Sequence, residues 1–240
     1  YTDAITYTKV RILERFAGEP RANGRRNHGE VHVTSQVVGF KKIKFHTNEN
    51  VGSGELTMPE NEMHTTSYWL TIPREIMSAL PYGLEERRDG VVALSYTLGQ
   101  LAALFLMCDR HDLGVALGDN GQGEARIERG LLRLGAGGAG RRDEPPPGED
   151  YEPNIFVYDA YPGGIGLSEP LYHLHDRLLA ESRALIAACP CPDGCPSCVG
   201  PVGEVGSRGK DVALAILDAV LAHPSVVGRP PGFAGEAGGV

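Results

Sequence analysis

Apolar and polar residues alternate along the first part of the chain. The alternation is regular over Thr8–Ile12 and again over Val31–Val37. A period of two is typical of strands that bury one face. The segment between these runs, residues 18–29, is polar and contains Asn23-Gly24, a common hairpin turn. The pattern predicts a long antiparallel pair of strands with a flexible tip.

A third strand is predicted over Met63–Ile72, which contains the single tryptophan, Trp69. Pro73 then favours the start of a short helix that runs to about Leu80. An exposed Trp69 could stack on a nucleic-acid base. Aromatic side chains more often bury their area in a core, so we favour a packing role for Trp69.

The strongest helical pattern covers Gly90–Cys108. Apolar residues recur there at intervals of four and three, and the second half is apolar nearly all round. We therefore expect a central helix. Cys108 continues the apolar stripe, which favours a buried small side chain over a metal ligand.

A short buried strand is predicted over Asn154–Asp159, followed by a glycine loop and a helix from about Ser168 to Cys189. A last helix is expected over residues 210–222. The loop glycines could cradle an anion on their backbone N–H groups, although a tight turn with close backbone packing is the favoured interpretation. This candidate functional loop consists of Asp159, Gly163, Gly164 and Gly166.

Two segments are too rich in glycine and proline to build a core. They are residues 135–150, expected to be a disordered insertion, and residues 228–240, expected to be a disordered tail. The resulting fold class is α+β. An N-terminal antiparallel β region, residues 1–80, precedes a mixed α/β, helix-rich domain, residues 81–227.

Charge is distributed unevenly along the chain. The net charge is −8, but residues 1–50 hold nine Lys and Arg against five Asp and Glu, a net +4 that leaves −12 elsewhere. This local excess could contact nucleic-acid phosphates. The candidate residues are Arg11, Lys41, Lys42 and Lys44. The alternative, which we favour for the segment 40–45, is an exposed strand whose lysines prevent edge pairing.

No run of 18 apolar residues and no signal-peptide pattern occurs in the sequence. We therefore expect a cytoplasmic protein with no membrane partner. The chain begins at Tyr1 instead of methionine, which leaves open a piece of a longer protein or a stand-alone one.

Four of the five cysteines fall within ten residues, with the spacing C-x-C-x3-C-x2-C. Four thiolates at this spacing can surround one tetrahedral Zn²⁺ as a closed, structural site. Two disulfides would close only very short loops and add little stability. A redox switch through the same thiols stays open as an alternative. The predicted zinc ligands are Cys189, Cys191, Cys195 and Cys198.

A second candidate site would use the polar residues that follow the central helix. Asp109, His111 and Asp112, with Asp159 from the next strand, could bind a metal or phosphate and do acid–base chemistry. Polar residues at a helix end more often cap the helix or face solvent. An enzyme of this type is therefore an alternative hypothesis.

Three motifs in order resemble one known family. They are L-x-x-L-F-L-M-C-D-R-H-D-L-G from Leu101, I-F-V-Y-D-A-Y-P-G-G-I-G-L from Ile155 and A-C-P-C-P-D-G-C-P-S-C-V-G from Ala188. Together they resemble the C-terminal Zn-binding (MZB) domain of DEAD/DEAH-box helicases of the mitomycin repair factor A type. The N-terminal part is similar to the region between the motor and that domain, so the resemblance covers residues 1–222.

The resemblance implies that the four clustered cysteines are zinc ligands. It also implies a parent protein that is an ATP-dependent, superfamily 2, 3′–5′ DNA helicase active in DNA repair, with DNA and the motor domains in cis as partners. The sequence contains no Walker A loop and no D-E-A-H-like box, so these 240 residues would not hydrolyse ATP themselves. The expected function is therefore an accessory, structural zinc domain that guides a DNA strand. The alternative is a stand-alone protein-interaction module of a defence or repair complex.

Overall fold

The computed structural model describes residues 2–19, 25–45, 50–118, 125–128 and 151–222. The predicted insertion, the predicted tail and the Asn23-Gly24 turn lie outside these residues. The strands are β1 (Thr2–Glu19), β2 (Arg25–Ile43), β3 (Asn50–Glu55), β4 (Asn61–Thr71), β5 (Leu113–Gly118), β6 (Ala125–Glu128) and β7 (Asn154–Asp159). The helices are α1 (Arg74–Ala79), α2 (Leu84–Leu106), α3 (Ser168–His173), α4 (His175–Ala188), α5 (Val202–Val205) and α6 (Gly209–Leu221).

The described strands form one antiparallel sheet that closes on itself. The order is β1-β6-β5-β7-β4-β2-β3, and β1 also pairs with β2. Six strands therefore form a ring, with β3 added outside it. The β1–β2 ladder confirms the predicted antiparallel pair. Among the described residues, the β5–β6 link consists of the pair Gly118 with Ala125. Closure into a ring pairs both sides of each ring strand, which removes most free sheet edges.

Alternate side chains fill the inside of this ring. A small cluster of buried residues from five strands meets there, consisting of Val10, Val31, Val33, Trp69, Ala116 and Phe156. Trp69 is 1% exposed and its ring stacks on that of Phe156, with centroids 5.6 Å apart. The predicted packing role of Trp69 is thus confirmed. Strands β1 and β2 contribute alternate residues to this interior, which accounts for their period-two sequence pattern.

The opposite face of the same strands carries the main core. Tyr68 and Leu70 of β4 and Ile155 and Val157 of β7 are fully buried on the helix side. Helices α2, α3, α4 and α6 pack in this layer. A single strand such as β4 thus buries both faces, because the ring interior lies on one side and the helices lie on the other. The α+β fold class is confirmed.

Helix α2 begins at Leu84, six residues before the predicted start. Its middle is central, since Leu94 and Leu98 are fully buried. The prediction that the second half is central is wrong for the last turn, where Leu104 is 68% exposed.

Among the described residues α2 alone has the length and apolar composition of a membrane-crossing helix, and more than half of that stretch is buried inside the chain. Core helices often meet this criterion.

The predicted helix from Ser168 to Cys189 is two helices, α3 and α4, which meet at Leu174. The two helices pack mainly on different partners: α3 on β4 and β2, and α4 on α2 and α6. At the junction, His175 Nδ1 lies 2.7 Å from the Tyr68 hydroxyl, which fixes the start of α4 on the sheet. The last helix, α6, matches its prediction closely and buries Ile216 and Leu217.

The sheet crosses the predicted boundary between the β region and the helical region. Strand β7 pairs with β4, and β6 pairs with β1. Residues on both sides of residue 80 therefore share one hydrogen-bonded sheet and one core. The boundary itself stays a prediction.

Close packing of α2 on α6 generates a testable prediction. A methyl group on Gly90 would lie 2.4 Å from Cγ1 and 2.7 Å from Cβ of Val212. We expect Gly90→Ala to lower the free energy of unfolding by about 1–3 kcal/mol, because overpacking outweighs the better helix propensity of alanine. Urea unfolding measures the change.

The matched control is Gly203→Ala in α5, where a methyl group meets nothing within 4 Å. Its stability should stay within about 0.5 kcal/mol of the parent chain. Equal stability of both variants would show that α2 and α6 do not touch closely at Gly90.

Candidate metal centre

The four clustered cysteines follow α4 and bring their sulfur atoms together. The Sγ–Sγ distances are 3.5 Å for Cys189–Cys191, 3.6 Å for Cys189–Cys195, 3.4 Å for Cys191–Cys198 and 3.6 Å for Cys195–Cys198. All four sulfur atoms lie within 4.8 Å of one another. A disulfide needs about 2.05 Å, so these are four free thiols.

This arrangement fits zinc. Four sulfur atoms about 2.3 Å from a tetrahedral Zn²⁺ would lie about 3.8 Å from each other, close to the observed separations. Among the residues that the structure describes, this is the only group of three or more potential metal ligands that converge. Cys108 is not part of it and packs against the main core, but it is only partly buried where the sequence favoured a buried side chain. Zinc bound by all four thiolates would have no coordination position left for water.

Helix α2 holds the second half of the cysteine loop. The hydroxyl of Tyr96 and the amide nitrogen of Gln100 each donate to the carbonyl of Pro196, at 3.2 Å. The hydroxyl of Thr97 donates to the carbonyl of Cys198, at 3.1 Å. These side chains occupy neighbouring positions on one turn of α2, so the Pro196–Cys198 backbone is fixed to the central helix.

Helix α6 holds the first half of the loop. Lys210 Nζ donates to the carbonyls of Cys189 and Cys191, at 2.7 and 2.6 Å. Gly194, between Cys191 and Cys195, separates the two halves. Gly194 has a φ of 129°, a conformation that side chains rarely adopt, and a methyl group on it would lie 2.7 Å from the Val199 side chain. The loop is therefore shaped by contacts on both sides and by a glycine at its bend.

The thiols differ in their acidity. The backbone N–H of Ser197 is the main cause that lowers the pKa of Cys195 to about 7, because it stabilises the thiolate. Burial raises the pKa of Cys198 to about 12, because the anion loses its hydration. Four thiolates at neutral pH therefore require a compensating positive charge, which a divalent metal supplies.

The alternative site after α2 forms a set of local turn contacts. The Asp109 carboxylate lies 2.7 Å from His111 Nδ1, and the backbone N–H of Asp109 donates to Asp112 at 2.8 Å. The backbone N–H of His111 is the main cause that lowers the pKa of Asp109. Tyr161 donates its hydroxyl to Asp112 at 2.7 Å, which raises the pKa of Tyr161. These contacts stabilise the turn between α2 and β5, whereas the end of α2 itself is capped by the backbone N–H groups of Met107 and Cys108.

The carboxylate of Asp159 bonds to the glycine loop, although the backbone beside it is joined to that turn, where the N–H of Ala160 donates to the carbonyl of Asp112 at 2.9 Å. The side chain of Asp159 is fully buried, and one carboxylate oxygen accepts hydrogen bonds from the backbone N–H groups of Ile165 (2.7 Å) and Leu167 (3.1 Å). The other oxygen has no hydrogen-bond partner among the described residues. Asp159 thus shapes the glycine loop from beneath.

The glycine loop is the tight turn that the sequence favoured. Gly163, Gly164 and Gly166 all have positive φ, between 74° and 85°. A methyl group on Gly164 would lie 2.4 Å from the hydroxyl oxygen of Thr66. The loop also lines an open depression of about 470 Å³ with His28, whose pKa is lowered mainly by burial. Positive φ therefore explains all three glycines, and close packing against Thr66 is a second reason at Gly164 alone.

The basic residues predicted to bind nucleic acid occupy two separate places on the pair of strands β1 and β2. Lys41 pairs with Asp3 of β1, whereas Arg11 pairs with His32, eight residues or about 26 Å further along the strand. The interpretation that the lysines protect a sheet edge is wrong, because at Lys41 and Lys42 the strand β2 pairs with β1 on one side and β3 on the other. Lys42 and Lys44 are exposed.

Sequence reasoning missed the side chains that hold the cysteine loop. Thr97 lies 101 residues before the carbonyl it contacts, and Lys210 lies 21 residues after Cys189. Neither residue belongs to a recognisable motif. One signal could have pointed to Lys210: it lies in the first turn of a helix, where a positive charge is unfavourable beside the positive end of the helix dipole.

The role of Asp159 yields a prediction. Asp159→Ala should lower the free energy of unfolding by about 2–3 kcal/mol, because two backbone N–H groups lose a charged acceptor. Glu181→Ala removes an exposed carboxylate from α4 and should change stability by no more than about 0.5 kcal/mol. Chemical denaturation measures both, and a neutral Asp159→Ala variant would contradict the proposed support of the loop.

Comparison with known proteins gives consistent matches. Residues 94–199 match the family model described as MZB, the MrfA Zn-binding domain. The chain is 33% identical over 218 residues to an uncharacterized ATP-dependent helicase, YprA, of Bacillus subtilis (strain 168), covering 91% of this chain and 25% of the relative. The chain thus spans about a quarter of that relative's length.

Solved structures agree with this. A crystal structure of the DUF1998 helicase MrfA bound to DNA superimposes with a TM-score of 0.60 at 31% identity, over 91% of this chain and 25% of that one. A second structure of the helicase MrfA gives a TM-score of 0.53 at 23% identity, over 88% and 24%, and shows the fold alone. Residues 94–199, which contain most of α2, the glycine loop and all four clustered cysteines, therefore belong to the MrfA Zn-binding domain family.

Proposed function

We propose that this chain is the zinc-binding accessory region of an ATP-dependent DNA helicase. The observation that carries the proposal is the convergence of four thiols inside a region that matches a Zn-binding domain. The similarity to helicases along 91% of the chain supports the parent activity. ATP would be used by motor domains in cis, since this sequence has no Walker A loop.

The zinc would be structural. It would join the end of α4 to the loop that leads into α6, and α2 contacts the same loop through Thr97. Structural zinc contributes folding free energy because the unfolded chain does not hold the ligands together. Free thiols around a metal also suit a reducing compartment, which supports a cytoplasmic location.

We further propose that the C-terminal end of β2, with Lys41, Lys42 and the following Lys44, contacts a DNA strand. Phe45, next to these lysines, is 69% exposed. An exposed aromatic ring beside several cations is the combination that binds single strands, through phosphate contacts and base stacking. The DNA-bound helicase MrfA supports DNA as the partner of the parent protein. Superfamily 2 membership, 3′–5′ polarity and a role in DNA repair are part of the same proposal.

Metal analysis tests the zinc site. We expect about one Zn²⁺ per chain, with Cys189→Ser and Cys198→Ser each lowering occupancy and lowering the melting temperature by about 5 °C or more. Cys108→Ser is the matched control, because Cys108 lies outside the cluster, and its zinc content should equal that of the parent chain. Elemental analysis and thermal unfolding measure the two effects. A folded, metal-free chain with oxidised cysteines would overturn the zinc proposal.

Charge reversal tests the DNA interaction in the complete helicase. The triple change Lys41→Glu, Lys42→Glu and Lys44→Glu should weaken single-strand binding, because these side chains would no longer neutralise phosphates. The slope of log Kd against log salt should fall by about 0.7 for each phosphate that is left without its cation. Fluorescence anisotropy over a salt series measures both quantities.

The control reverses three exposed cations outside the ring of strands, Arg74, Arg110 and Arg183. Their reversal should leave the salt slope nearly unchanged. If the lysine triple leaves DNA affinity, salt slope and unwinding unaltered, the strand-guiding part of the proposal is wrong.

A further inference from the structure

Lys210 is a buried lysine whose ammonium group faces the cysteine loop. The residue is only 8% exposed, at the first turn of α6. Its Nζ donates to the carbonyls of Cys189 and Cys191 and lies 3.7 Å from Cys191 Sγ. An ammonium group has three donors. All three thus have an acceptor within the segment that carries the first pair of cysteines.

The charge of Lys210 requires a partner. Burying an ammonium group is costly unless a negative charge or strong hydrogen bonds compensate. Within the described part of the chain, no carboxylate forms an ion pair with Lys210. The remaining negative groups at hand are the thiolates. Zinc bound by four thiolates carries a net charge of −2, and the ammonium group lies against its edge at Cys191.

We propose that Lys210 is the counter-ion of the metal–thiolate centre. It is a positioning residue: its hydrogen bonds set the backbone of the first cysteine pair, and its charge offsets part of the negative charge of the bound thiolates. The inference rests on the zinc site proposed above. It adds an electrostatic contribution from α6, which holds no ligand of the metal.

Two neutral substitutions separate the charge from the hydrogen bonds. Lys210→Met removes both, whereas Lys210→Gln keeps N–H donors, on a side chain one atom shorter, without the charge. Lys210→Arg keeps the positive charge. We expect Lys210→Met and Lys210→Gln to weaken apparent zinc affinity by about 10- to 100-fold, the usual cost of losing a group that supports a metal ligand. Competition with a chromogenic chelator measures this on the full chain.

The absorption spectrum of the Co²⁺-loaded chain provides a test that a purely structural role of Lys210 would not affect. In Co²⁺-loaded chain, the sulfur-to-cobalt charge-transfer band reports the energy of the thiolate electrons. A nearby cation stabilises those electrons, so both neutral variants should shift the band to longer wavelength. Lys210→Arg should keep it near its position in the parent chain. Lys210→Gln is the variant to compare if Lys210→Met does not fold.

Arg208→Met is the matched control. Arg208 lies two residues away, is half exposed and pairs with Glu86 at 3.0 Å instead of the cysteine loop. Its removal changes net charge equally and should leave both affinity and spectrum unchanged.

The outcomes separate the two proposals. A parent chain that takes up neither zinc nor cobalt would overturn the metal site, and with it this inference. A parent chain that binds metal while Lys210→Gln keeps its affinity and spectrum would overturn the counter-ion role alone. An equal spectral shift in Arg208→Met would also overturn it, because the effect would then follow net charge and not proximity to the thiolates.

Discussion

The contact between α2 and α6 is the constraint on which the metal centre depends. Gly90 lets the two helices approach so closely that a single methyl group would collide with Val212. From this pair, Thr97 of α2 fixes one half of the cysteine loop and Lys210 of α6 fixes the other. The four thiols converge because α2 and α6 each hold one half of the cysteine loop. The distance between these two helices is set by their contact at Gly90, outside the loop. A metal would then complete an arrangement that packing has already prepared.

The ring of strands and the helical layer serve different physical purposes. The ring buries Trp69 and Phe156 inside and presents Leu70 and Ile155 to the helices, so each central strand supports two cores. The helical layer carries the thiols. The sheet extends to the outer strand β3, and Lys42 of the neighbouring strand β2 is exposed there. This separation allows a structural metal at one place and a charged surface at another, as an accessory region of a larger machine requires.

Much of the local structure could be predicted from the chain. The β1–β2 pair, the strand around Trp69, the middle of α2 and the inward face of α6 all follow from periodicity, because burial of one face imposes it. Strands β3, β5 and β6 were not predicted. They are short, and β5 and β3 contain glycines, so their pairing partners rather than their own residues decide that they are strands.

The sequence by itself determined the identity of the thiol cluster, since four cysteines within ten residues can reach one metal whatever surrounds them. It also determined the turn at Gly163–Gly166, because positive φ demands glycine. Only the tertiary structure decided that the sheet closes, that Asp159 supports the glycine loop and that Lys210 faces Cys191. Those features depend on contacts between residues distant in the chain, and a local pattern carries no record of which distant segment will pack against it.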